Sequence, residues 1–236
     1  MSFLLFVYVF VVGCCVGSFL NVLIYRLPLD LEVVIQRSHC PYCKHELAWR
    51  EMIPIVSYLR LQGKCSVCHE KLSLRYPVIE GVCGILAVAM LYDKGCTLEA
   101  VISFLAGVIL LGISCIDYVH MIIPDSLNGG IAVLGVLHHV LVLRGIVVSD
   151  LVVGVCVVLF MIGMNYIVED AFGGGDIKLI MAASLLIGNR MGMAICVAST
   201  MACVYASYLW YRGKIDSRSH IPFGPFLAFG IWVCMM

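Results

Sequence analysis

The chain has 236 residues, 62% of them hydrophobic and 13% charged, with a formal net charge of zero and a mean hydropathy of +1.04. A soluble domain is nearer half apolar and about a quarter charged, so this composition excludes an ordinary soluble globular domain and reads as a polytopic membrane protein. No basic stripe or aromatic-interleaved patch is present, which gives no footprint for a nucleic-acid partner.

The first apolar run begins at Phe3 with no Lys or Arg before it. It lacks the basic start and small-residue cleavage site of a secretory signal, so residues 3–25 are expected to form a retained membrane helix. Most of the thirteen cysteines lie singly in apolar runs, where Cys behaves as a small apolar residue.

Residues 26–76 form the only long polar insertion, and four cysteines stand apart there. The pairs are Cys40 with Cys43 and Cys65 with Cys68, in "CPYCKH" and "CSVCHE". Each C-x2-C turn can present two thiolates to one ion, and two turns close a tetrahedron that suits zinc. No βαβ pattern surrounds them, which argues against a redox dithiol. His39, His45 and His69 lie beside the cysteines; they read as neighbouring groups, with replacement of one cysteine by a histidine left open. An insertion with few large apolar residues builds little core, so bound metal supplies folding energy.

A membrane-crossing helix needs roughly 20 apolar residues. Further spans are predicted at 77–92, 97–116, 126–143, 150–168, 177–189, 191–211 and 221–236, about eight in all. No internal repeat is visible. The fold class expected is an all-α membrane protein with a small zinc-knuckle insertion after its first helix. Its parts are the first helix at 1–25, the insertion at 26–76 and a helical membrane domain at 77–236.

Two carboxylates stand out along these spans. Asp117 closes the third span, and Asp176 opens the sixth directly after Gly173, Gly174 and Gly175. Ionisable groups at such positions are costly and point to function. Two neighbouring carboxylates can share one proton, the acid/base arrangement that peptide hydrolysis needs. Glycines allow positive φ and close backbone approach, leaving room for an extended peptide; a plain helix N-cap role for Asp176 stays open. Lys178 either keeps Asp176 ionised or extends to water. Asp125 reads as an N-cap, and Glu169 and Asp170 as solvated charges. His120, His138 and His139 receive no role.

Basic residues set the orientation. Eight crossings place twelve of the fifteen Lys and Arg on one side, leaving Lys94, Arg144 and Arg190 on the other. The insertion and both aspartates then face the cytoplasm, with the N-terminus outside.

Several stretches in this order resemble the bacterial type 4 prepilin peptidase family: "GSFLNVLIYRLP" at 17–28, the paired knuckles, "RYPVIEGVCG" at 75–84, "IDYVHMIIPDSL" at 116–127, "GGGDIKL" at 173–179 and "IPFGPFLAFG" at 221–230. The resemblance implies an aspartic endopeptidase of the bacterial inner membrane with Asp117 and Asp176 as its catalytic pair. It also implies prepilin or pseudopilin precursors as protein partners, cut after a glycine at the end of a basic leader. Many members methylate the new N-terminus with S-adenosylmethionine, an activity linked to the N-terminal part. Asn21, Arg26, Glu80 and Gly81 lie there, and Asn21 reads equally as a polar contact between helices. No Gly-rich nucleotide fingerprint is present. A metal-responsive transporter and a non-catalytic assembly scaffold are the competing readings. Transporter carboxylates tend to sit near mid-membrane, whereas both acids here fall at one predicted face.

Overall fold

A computed structural model of the chain describes residues 3–33, 37–145, 148–167, 172–214 and 221–236. Glu169 and Asp170, read above as solvated charges, lie outside the described residues. Among the described residues the fold is helical, with only two isolated β-bridges. Six helices are long and apolar enough to cross a membrane, so this is a multi-pass membrane protein. Among the described residues this number is slightly below the expected count of about eight. The predicted spans at 177–189 and 191–211 form one apolar stretch, Gly174–Tyr211, and the last helix, Gly224–Met235, is shorter than a full span.

The chain divides into two compact units, Met1–Ala100 and Val101–Met236. The first contains α1 (Phe3–Arg26), a short α2 (Val56–Arg60) and α3 (Arg75–Lys94). Small residues bring α1 and α3 together. A Cβ on Gly13 would stand 2.7 Å from the Cys83 carbonyl oxygen, and one on Gly17 would stand 2.9 Å from Glu80 Cα. Gly13 and Gly17 form a G-x-x-x-G pair, which lets helix backbones touch where lipid offers little hydrophobic drive. Asn21 adds a polar bond across the seam, its Nδ2 donating to the Tyr76 carbonyl at 3.2 Å.

The insertion is one turn used twice. His39 bridges Glu46, and Lys64 bridges Lys71. In each copy the first cysteine's N–H donates to the carbonyl five residues on, His45 or Glu70. In each copy the residue after the second cysteine, Lys44 or His69, has positive φ. This local repeat escapes a sequence search because only the cysteines are shared. Between residues 37 and 74 only Cys40, Gly63 and Cys65 are buried, so the insertion lacks an apolar core of its own.

The second unit contains most of α4 (Leu98–His120), then α5 (Asp125–Leu137), α6 (Val148–Ile167), α7 (Gly174–Ile187), α8 (Met191–Tyr211) and α9 (Gly224–Met235). A π-helical turn, His138–Val142, follows α5, and a 3-10 turn, Gly188–Arg190, separates α7 from α8. Gly188 caps α7 at φ +52, a conformation that suits glycine. The core of this unit is built from fully buried Ile113, Ile116, Ile131, Leu179, Ile180, Met191, Leu227 and Ile231. The outer faces of α6 and α8 expose Leu159, Phe160, Val204 and Trp210, as lipid-facing helices do.

Candidate active site and metal centre

Asp117 lies in the last turn of α4 and is 6% exposed. Its Oδ2 accepts the Gly224 N–H at 2.9 Å. Gly224 is the first residue of α9, so the positive end of that helix meets the carboxylate. A Cβ at Gly224 would stand 2.7 Å from Asp117 Oδ2 and 2.9 Å from its Cγ. Only glycine fits against Asp117 there. Sequence reasoning assigns Gly224 no role; the signal was the Phe-Gly-Pro turn opening the last apolar run.

Asp176 is the third residue of α7, whose N-cap is Gly173 with φ −66°. The N-cap reading of Asp176 is therefore set aside. Its Oδ1 is buried and has no hydrogen-bond partner. None of Gly173, Gly174 and Gly175 takes positive φ, which corrects that part of the expectation. Their small size matters for approach. A Cβ on Gly175 would stand 3.1 Å from Ile123 Cβ, and one on Gly173 would stand 3.1 Å from Asp176 Oδ2. Gly173 and Gly174 are exposed, leaving bare backbone beside the acid.

One cavity of about 430 Å³ is lined by Asp117, Asp176, all three glycines and Lys178. Lys178 does not pair with Asp176. Its Nζ donates to both Asp125 oxygens, at 2.7 and 2.9 Å, and this exposed pair fixes the cavity rim. Asp125 is the first residue of α5 and not its N-cap, which is Pro124.

In the first unit the Sγ atoms of Cys40, Cys43, Cys65 and Cys68 all lie within 4.8 Å of one another. Cys40 and Cys68 are 3.8 Å apart, and Cys43 and Cys65 are 3.9 Å apart. A tetrahedron with Zn–S bonds of about 2.3 Å has edges of about 3.8 Å, so the donor set fits zinc. Backbone N–H groups of Cys68 and then Val67 pull the Cys65 thiol down to about 6, toward the thiolate that a metal requires. The neighbouring histidines stay outside the cluster. His39 Nδ1 lies 3.2 Å from the Arg37 carbonyl, and His45 Nε2 lies 3.5 Å from Glu51 Oε2. Glu51 is held below the usual carboxylate range by the Ser66 hydroxyl and then the Ala48 N–H, which ties the loop between the knuckles to the second of them.

A helical membrane protein with a paired-aspartate cavity and a separate tetracysteine cluster defines a narrow class. Residues 11–93 match the family described as Bacterial Peptidase A24 N-terminal domain, and residues 102–208 match the Type IV leader peptidase family. A Stutzerimonas stutzeri protein named prepilin leader peptidase/N-methyltransferase is 31% identical, over 96% of this chain and 88% of its own length. A Vibrio cholerae protein of the same name is 30% identical over 91% of this chain and 90% of its own length. A Myxococcus xanthus protein, also so named, is 45% identical over 52% of this chain and 36% of its own length. No solved structure matches. The chain belongs to the type IV leader peptidase family.

Proposed function

We propose that the chain cuts the basic leader from prepilin-like precursors at the cytoplasmic face of the bacterial inner membrane, using Asp117 and Asp176. The observation that carries this is the single cavity that both carboxylates line with Gly173–Gly175. The family membership and the names of the relatives point to the same substrate class. The eight Lys and Arg of residues 26–76 support the cytoplasmic orientation of the insertion, and two further spans bring Asp117 back to that side.

The chemistry follows from the asymmetry of the pair. Asp117 accepts a backbone N–H and faces a helix N-terminus. Asp176 has an unpaired oxygen. This makes Asp117 the carboxylate that takes a proton from a shared water. Asp176 carries the other proton and donates a hydrogen bond to the scissile carbonyl. The hydroxyl adds to the carbonyl carbon, a proton passes to the amide nitrogen, and the C–N bond breaks. A substrate laid along the exposed backbone of Gly173 and Gly174 meets no side chain there.

The experiment is leader removal by the purified full-length protein from one precursor, followed by mass spectrometry. A single product ending at the glycine supports the reading, and an intact precursor refutes it. The rate depends on one ionised and one protonated carboxylate, so it falls on the acid side as Asp117 gains a proton and on the alkaline side as Asp176 loses one. A rate constant across both limbs contradicts the shared-proton mechanism.

Gly224 positions Asp117. Gly224→Ala puts a methyl group into the carboxylate, and a displacement near 1 Å costs about a hundredfold. Cleavage by this variant is expected to fall about ten- to a hundredfold. Gly129→Ala and Gly192→Ala, where a Cβ meets nothing within 4 Å, are expected to cleave normally. Equal activity in all three variants removes Gly224 from the machinery.

The second activity in the relatives' names, N-methyl transfer, is proposed for the first unit: α1, the knuckles and α3. If S-adenosylmethionine binds there, it would supply the methyl group for the newly exposed amine, leaving as S-adenosylhomocysteine while the amine gives up a proton. Zinc is proposed as the structural ion of the four cysteines.

A further inference from the structure

The turn between the two knuckles carries large apolar side chains on its surface. Trp49 is 67% exposed, Val56 57% and Leu59 68%, and Ile53 is exposed as well. Val56 and Leu59 stand three residues apart on α2 and share a face. The other side of the turn, with Ser57, Tyr58 and Leu61, faces a cavity within the first unit. The turn is therefore two-sided. Its outer side is an apolar patch of the kind that meets a partner or a membrane.

Its depth identifies what it meets. Helix α3 has 20 residues, Arg75–Lys94, a length of about 30 Å, which matches the hydrocarbon thickness of a bilayer. Arg75 and Lys94 mark the two boundaries. Glu80 lies five residues past Arg75, about 7 Å along the axis. Its Oε2 accepts the Ile55 N–H at 2.7 Å, and a Cβ on Gly81 would stand 3.9 Å from Ile55 Cδ1. Ile55 thus sits beside the α3 span and not above its end. Backbone at that level needs internal hydrogen bonds. The N–H groups of Ser57, Leu59, Leu61, Gln62 and Gly63 all donate to carbonyls of residues 53–59.

The charge of the outer side agrees. Arg50 and Arg60 are exposed, and Arg60 Nη2 donates to the Arg50 carbonyl at 3.3 Å. The Arg50 guanidinium lies 5.0 Å from the centroid of the Trp49 ring. Glu51, the one acidic residue of 49–62, turns back into the insertion and accepts the Ala48 N–H at 2.8 Å. Trp and Arg beside an apolar patch suit a membrane interface. Anionic phospholipid attracts such basic segments, whereas a basic precursor leader gains nothing from Arg50 and Arg60. We propose that residues 49–60 anchor the insertion in the leaflet on its own side of the membrane. Ile53, Val56 and Leu59 enter the acyl region, Trp49 lies among the headgroups, and Arg50 and Arg60 pair with phosphates of anionic phospholipid. The anchor goes beyond the peptidase and methyl-transfer readings and depends on neither.

The test uses the full-length protein in lipid nanodiscs. Trp49 is one of three tryptophans, so Trp210→Phe with Trp232→Phe leaves it as the sole indole. Its fluorescence is expected to fall by about half with phospholipid brominated at shallow acyl positions. Quenching is expected to be about twofold stronger with brominated phosphatidylglycerol than with brominated phosphatidylcholine at equal mole fraction. Arg50→Gln with Arg60→Gln is expected to erase that difference. A benzophenone amino acid in place of Leu59, with all three tryptophans kept, gives a readout free of the background substitutions. Irradiation with one precursor present is expected to add the mass of a phospholipid to the peptide that carries it. Equal quenching by the two lipids overturns the role of the arginines. Quenching of Trp49 by aqueous iodide and not by bromine, or cross-links from position 59 to the precursor or a second copy in place of lipid, overturns the anchor.

Discussion

Asp117→Ala and Asp176→Ala are each expected to lower leader cleavage by about 10³-fold or more, while the protein still accumulates in the membrane. General acid–base groups contribute roughly 10²–10⁴-fold, and each aspartate is one half of such a pair. Asp176 is well suited to the test. Its Oδ1 makes no internal hydrogen bond, so its removal breaks no contact of that oxygen that holds the fold. Asp117 is more embedded, and Asp117→Ala leaves the Gly224 N–H without its acceptor. Asp117→Asn keeps an oxygen there and separates chemistry from packing. Immunoblotting of a precursor in cells carrying each variant measures the effect. Normal processing by any of them contradicts the assignment.

The second large effect concerns the metal. Protein purified without chelator is expected to carry about one zinc per chain. Binding free energy at such sites is folding free energy, on the order of 10 kcal/mol. Bound here, zinc would stabilise an insertion with only Cys40, Gly63 and Cys65 buried between residues 37 and 74. Cys65→Ser is therefore expected to abolish zinc binding and to expose the insertion to limited proteolysis. His39→Ala and His45→Ala are expected to retain the ion, because neither ring joins the cluster. Elemental analysis checks the stoichiometry, and protein without zinc overturns the knuckle reading.

Much of this was legible in the sequence because the decisive signals are local. Two C-x2-C turns announce a metal cluster by spacing alone. Gly-Gly-Gly-Asp before an apolar run marks a carboxylate placed where charge is costly. The helix ends also follow closely from hydropathy, and α8 starts and stops where expected, at Met191 and Tyr211. What stayed hidden depends on pairing across the chain. Nothing local to Gly224 says that its missing Cβ makes room for Asp117 or that its N–H bonds that carboxylate. Lys178 sits two residues from Asp176, yet its partner is Asp125. The bond from Asn21 to the Tyr76 carbonyl emerges only when α1 and α3 touch through Gly13 and Gly17. The span count came out high because Asn189 and Arg190 read as a polar break, whereas a single turn at Gly188–Arg190 joins α7 and α8 in one apolar stretch.

The central claim is that two carboxylates act as one catalytic unit, and a double-substitution cycle tests it most directly. Cleavage of one precursor is measured for Asp117→Asn, Asp176→Asn and the variant carrying both. Groups acting together on one water lose nearly everything with the first substitution, so the double variant is expected to match the weaker single one. A double variant slower by the product of the two single losses would show independent roles and contradict the shared site.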